Sequence, residues 1–250
     1  MKRILLACMA AMMLLVAPTS ANAQEVKSKK YYEQYVENLK ETNVTLKKEI
    51  MEYCPEHFPT INSVTTNYVK KASEKLSGGS MLDMKQSVYM EIAYKKVQIN
   101  DIYANGISVA SKANVKQMQV DDYEEYSAWV KNMAEVMGEL SALDNFGGSM
   151  AGLEYAAAEL NVYEAWFNMK TKGSSMRVTS AQAKAFVAKM RSTCDEKYKS
   201  QMENFDGEDM VNALKQSKER VTKAIDNLEA LFQQKAPGKW LVDTFVFEEM

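Results

Sequence analysis

A single histidine, four prolines and three cysteines are spread over 250 residues, and each scarcity rules something out. His57 is the only histidine. Three-histidine zinc sites and the paired Glu-x-x-His di-iron site of helical bundles are therefore excluded. Any Ser-His or Cys-His nucleophile would have to use His57 itself. The prolines are Pro18, Pro55, Pro59 and Pro237, so no proline interrupts residues 60–236. At ordinary usage of about 5% such a stretch would hold several. Because proline is the strongest helix breaker, this gap predicts a helical domain. No charge of one sign dominates: Lys and Arg number 31 against 33 Asp and Glu. That balance offers no electrostatic footprint for nucleic acid or anionic lipid. The Gly-rich dinucleotide fingerprint and the Walker phosphate loop are both missing.

The first residues read as an address. Lys2-Arg3, the apolar run from Ile4 to Val16 and the small-x-small site Ala21-Asn22-Ala23 have the layout of a secretory signal peptide spanning residues 1–23. The run is too short for a mature membrane span, and Cys8 falls inside it. Residues 24–250 are expected to form one helical domain, exported to the periplasm or the extracellular space, with no transmembrane segment. Without Lys2 and Arg3, 29 basic residues face 33 acidic ones, a formal charge of −4. Only Cys54 and Cys194 remain. An even pair in an exported chain reads as a disulfide, closing a 140-residue loop worth roughly 4–5 kcal/mol in the chain-entropy account. The alternative is two buried free thiols, since Cys194 falls on an apolar helical stripe.

What the sequence does have is apolar residues at steps of three and four. Tyr123, Tyr126, Val130, Met133, Met137 and Leu140 form one such stripe within Val120–Leu143. Asp121 and Asp122 suit a helix N-terminus there, and Asp144-Asn145-Phe146-Gly147-Gly148 suits its end. This mid-chain helix is expected to be the one around which the others gather. A first helix is predicted over Lys29–Tyr53, with Asn43 the one polar member of its seam. The chain breaks at Cys54-Pro55. A second helix is expected over Thr60–Leu76 with Ile61, Val64, Tyr68, Ala72 and Leu76 on one face. Met81–Lys116 reads as a long helix, although Asn105-Gly106 is also a hairpin signal. Further helices follow over Ser149–Met169, from Thr179-Ser180-Ala181-Gln182 (a capping-box pattern) through Phe205, and from Val211 through Phe232. The fold class is thus all-α: an antiparallel bundle of about six or seven amphipathic helices. The tail over 240–250, with Trp240, Phe245 and Phe247, is either a short strand or a segment docked on the bundle.

Val178-Thr179-Ser180-Ala181-Gln182 is similar to the Leu-Thr-x-x-Gln motif of periplasmic helical chaperones of the Spy and CpxP type. The match covers five residues, occurs once and has Val178 in place of Leu; a capping box explains the same residues, and no family is assigned on it.

The sharpest chemical constellation is Cys54-x-x-His57. With Cys194 and a carboxylate such as Glu56 it could supply four zinc ligands, or Cys54 and His57 could act as nucleophile and base; otherwise Cys54 is a structural cysteine in a helix-ending loop. Gly147-Gly148-Ser149 resembles a nucleophile elbow, but that motif needs a preceding strand where a helix is expected. The fourteen methionines of residues 24–250 lie mostly on helical stripes and read as core. No cofactor is expected. The functional expectation is a non-enzymatic exported bundle acting through its surface on a protein partner, envelope-associated or holdase-like. The alternative is a bundle holding a small apolar ligand or metal in its core, with Trp129 and Trp166 lining the pocket.

Overall fold

The computed structural model describes residues 27–172, 179–234 and 242. The expected leader, Val178 and all of the tail except Val242 lie outside these residues. Among the described residues there are seven α-helices: α1 Lys29–Tyr53, α2 Thr66–Ser77, α3 Met81–Val109, α4 Ala113–Asp144, α5 Ala151–Lys172, α6 Ser180–Met202 and α7 Glu208–Gln234. Single 3-10 turns, Pro55–His57 and Ile61–Ser63, join α1 to α2. No strand occurs among the described residues. None of the helices among the described residues is long and apolar enough to cross a membrane.

Local chemistry sets the helix limits. Ser28 caps α1 by accepting the Tyr31 amide, and Pro55 stops that helix because it lacks an amide proton and restricts the residue before it. Full capping boxes open α3, from Ser80 and Asp83, and α6, from Thr179 and Gln182. Each box satisfies amides that would otherwise be orphaned. Gly147, at φ +75°, reverses the chain between α4 and α5, a conformation that costs glycine nothing.

Three sequence expectations need correction. The long helix expected over Met81–Lys116 forms, with Asn105-Gly106 inside it and no hairpin, but it ends at Val109. Gly106 is instead a contact residue: a Cβ there would sit 3.2 Å from Gln119 Oε1, so its lack of a side chain lets α4 approach α3. Next, α4 begins at Ala113, so Asp121 and Asp122 lie two turns inside it and serve no N-terminal dipole role. Last, the second helix starts only at Thr66, after a 3-10 turn and an extended link. The offset changes the phase of its buried face, which is Val69 and Ala72, and leaves Tyr68 45% exposed.

The core has two parts. The larger is built by α4 with the N-terminal half of α1, the C-terminal half of α3, and α5, α6 and α7. Val242 is fully buried in it. The smaller joins the C-terminal half of α1, Cys54, Phe58, Val64, α2 and the N-terminal half of α3. Helix α4 touches α1, α3, α5, α6 and α7. Between Val115 and Leu143 only Glu124, Ala128, Lys131 and Glu135 are exposed. Those four repeat at steps of four and three, a strip one residue wide. Trp129, Val136 and Leu143, off the expected stripe, are fully buried.

Two sets of polar side chains inside the bundle are joined across helices. Asn43 of α1 donates to Val97 O (3.2 Å) and to Asp101 Oδ1 (2.8 Å) of α3. Asn100 donates to Asn43 Oδ1 (2.9 Å), and Tyr123 of α4 donates to Asn100 Oδ1 (2.7 Å). Because Asn43 is 5% exposed, a glycan on the Asn43-Val44-Thr45 sequon does not fit the folded bundle. A second set joins α3, α4 and α5. Tyr103 donates to Asp122 Oδ2 (2.7 Å), Trp166 donates to Tyr103 OH (3.3 Å), and Lys170 pairs with Asp122. Burial, then the Asp122 charge, pushes the Tyr103 hydroxyl well above its ordinary range, so it remains a donor. Lys218, the charged member of the α7 stripe, reaches Asp195 of α6 at 2.7 Å and covers the Tyr198 ring at 4.6 Å. Its stem serves as apolar surface while its ammonium stays paired.

Asn100→Ala should therefore strip both Asn43 Oδ1 and the Tyr123 hydroxyl of a partner. The expected cost is about 1–3 kcal/mol, the range for leaving a buried polar group unsatisfied. Urea denaturation should show a lower midpoint at an unchanged slope.

Candidate functional site

Cys54 ends α1, and the 3-10 turn that follows folds the next three residues back over it. His57 N donates to Cys54 O at 3.0 Å and Phe58 N to Pro55 O at 3.2 Å. Phe58 is driven into the smaller core at 2% exposure, and Cys54 beside it is 1% exposed. The turn thus holds two side chains on top of a buried sulfur. Cys54 Sγ donates to Glu56 Oε1 at 3.4 Å and lies 3.4 Å from His57 Nδ1. Glu56 Oε1 and His57 Nδ1 are 3.9 Å apart. Lys75, from the last turn of α2, caps the cluster with its ammonium 2.5 Å from Glu56 Oε1.

Electrostatics follow from these contacts. The Lys75 hydrogen bond, helped by backbone and Cys54 donors, pulls the Glu56 carboxyl down to about 2 from its ordinary 4.5. Burial, reinforced by the Glu56 carboxylate, pushes the Cys54 thiol up. The resting cysteine is a protonated thiol, so a thiolate nucleophile prepared by His57 has no support here.

The structure separates the expected cysteine partners. Cys54 belongs to the smaller core and Cys194 to the larger, and both are free thiols. The predicted Cys54–Cys194 disulfide is thus not formed. Cys194 likewise cannot complete a metal site with Cys54 and His57. It is fixed by its place on α6, where burial pushes its thiol up. Glu56, named in the sequence as one possible carboxylate, does join Cys54 and His57. Lys75 was missed: it lies 19 residues from Glu56, and only the packing of α2 on α3 in the smaller core brings it in. Ser149 follows helix α4 and a glycine turn, with no strand before it, so the elbow geometry is lacking.

Two other surface features stand out. A groove of about 250 Å³ is lined by Lys85, Tyr89, Glu139, Gly152, Tyr155 and Arg220 among others, and Arg220 Nε spans it to Glu139 Oε2 at 3.3 Å. Trp129 and Trp166 do not line it; both are core residues. At the α4–α5 turn, Phe146 packs edge-on against Phe205 (5.6 Å between centroids). Phe205 and Met210 both close over Gly147, giving a patch of apolar side chains at one end of the bundle.

No family model matches the chain, and no curated protein or solved structure is significantly similar to it.

Two outcomes test this geometry. Unfolded without reductant, the protein should take up one iodoacetamide at each of Cys54 and Cys194, whereas a disulfide would leave both unlabelled. In Lys75→Met the Glu56 carboxyl should titrate above its wild-type value of about 2 by side-chain NMR, still held below 4.5 by the backbone and Cys54 donors. In the wild type the depressed value makes the contribution of this pair to stability present above 4.5 and lost as pH falls toward about 2.

Proposed function

We propose that the chain is an exported, non-enzymatic helical module that acts through its surface, binding apolar segments of a protein partner in a holdase-like manner. The patch formed by Phe146, Phe205 and Met210 carries this reading. Phe146 and Phe205 sit at two chain reversals, partly buried against the larger core, and Met210 lies beside them in the first turn of α7. Met210 is 37% exposed, and Leu82, at the start of α3, is 65% exposed. Antiparallel packing puts the start of α3 at the same end of the bundle as the α4–α5 and α6–α7 turns. Gln201 and Lys197 of α6 reach Asp144 at the end of α4, which holds the two reversals together. Apolar side chains on a rigid end suit recognition of unfolded or amphipathic segments. The interior polar groups described above are occupied in interhelical hydrogen bonds, which supports a scaffold role for the core. The leader-like residues 1–23 support export.

Purified from an export compartment, the protein should begin at Gln24 and suppress aggregation of a chemically denatured client. The double variant Leu82→Glu, Met210→Glu should keep its helical circular dichroism and lose most of that suppression. Equal suppression by both proteins would remove this reading.

A further inference from the structure

We propose that Cys54, Glu56 and His57 form a binding site for a single zinc-type divalent cation, closing the turn that follows α1. Sulfur, carboxylate oxygen and imidazole nitrogen are the donor types that zinc takes in proteins. The spacing fits as well. Bonds of about 2.3 Å to sulfur and about 2.0–2.2 Å to nitrogen and oxygen, at tetrahedral angles, put neighbouring donors about 3.3–3.6 Å apart. The edges of this triangle are 3.4, 3.4 and 3.9 Å, so only the Glu56–His57 edge has to close, by a few tenths of an ångström. All three donors come from four consecutive residues whose backbone is already fixed by the 3-10 turn, which keeps the ordering cost of binding low.

The surroundings favour a cation. Helix α1 has no basic residue in its last turn, so the negative end of its dipole faces the site uncompensated from within the helix. A cation already visits the position: the Lys75 ammonium rests on Glu56 Oε1. Lys75 is 53% exposed and can swing into water when a metal takes its place. The sulfur lies beneath the surface, while Glu56 is 57% and His57 27% exposed. An ion can therefore enter from solvent and keep a water or another ligand as its fourth partner. Binding is a simple exchange: the Cys54 S–H bond breaks, its proton passes to solvent, and a sulfur–metal bond forms, with no change of oxidation state. The site is independent of the apolar patch and stands whether or not that surface binds clients.

Cobalt(II) and zinc(II) titrations of the reduced protein test this. The wild type should bind one cobalt ion with a thiolate charge-transfer band in the near ultraviolet and visible d–d bands of tetrahedral intensity. Zinc should displace the cobalt, and about one proton should be released per ion. Cys54→Ser should abolish the charge-transfer band, while Cys194→Ser should keep it. Glu56→Gln, at an exposed position, and His57→Ala, at a half-buried one, should keep the helical circular dichroism and weaken binding by more than about 100-fold, beyond the loss typical of residues outside the ligand shell. Lys75→Met should tighten it severalfold by removing a competing cation. Absence of the charge-transfer band at stoichiometric cobalt, its loss in Cys194→Ser, or undiminished binding in His57→Ala would overturn the proposal.

Discussion

The structure depends on the burial of α4. A helix of 32 residues that keeps only a one-residue strip of exposed side chains cannot be stable by itself. Its apolar surface needs α3, α5, α6 and α7 at once, and each of these has its main apolar face turned toward α4 or toward a helix lying on it. Hydrophobic burial supplies the force but not the alignment, because methyl and methylene groups do not record register. Alignment comes from the buried polar ties. Asn43, Asn100 and Tyr123 set α1 against α3 and α4. Tyr103, Asp122, Lys170 and Trp166 set α3 against α4 and α5. In a low-dielectric interior each of these groups is costly if left alone, so a slip of one residue along any of the helices would be resisted by several unpaired donors and acceptors.

The smaller core is attached differently. It shares α1 and α3 with the larger one, but α2 and the two 3-10 turns lie only on its side. They are held by few large side chains, chiefly Phe58, Val64 and Val69, with the Ser73–Ser87 hydrogen bond at 2.8 Å. The chemistry gathers on this lighter side. Cys54, Glu56 and His57 meet because a proline-forced turn doubles back over a helix end, and Lys75 meets them because α2 packs there. The heavy core thus provides a fixed frame, and the turn holds Glu56 and His57 near solvent over a buried thiol.

Much of this was legible in the residues. The all-α class followed from the proline gap and the repeated three-and-four spacing. The α1 limits followed from Pro55, and the α6 start from its capping box, since each is a local signal. Other features are not local. Nothing in Val120–Leu143 tells that the helix extends back to Ala113, because Ala113-Asn114-Val115-Lys116 has no strong signal of either kind. Tyr68 and Val69 exchanged places because a 3-10 turn advances the chain by a different angle from an α-turn. The cysteine pair shows the same limit. An expected export and an even number argued for a bond, yet Cys54 and Cys194 are claimed by separate cores. Of the candidate ligands, the three within four residues of one another came together, and the one 140 residues away did not.

Native-state hydrogen exchange resolved by residue tests this division most directly. The account predicts that amides in the middle of α4, around Tyr126 to Leu140, exchange only through global unfolding. Those of residues 55–65 should exchange through smaller local openings well below that free energy. Equal protection of residues 55–65 and α4, or a sub-global opening that releases α4 while α1 and α7 stay protected, would contradict it.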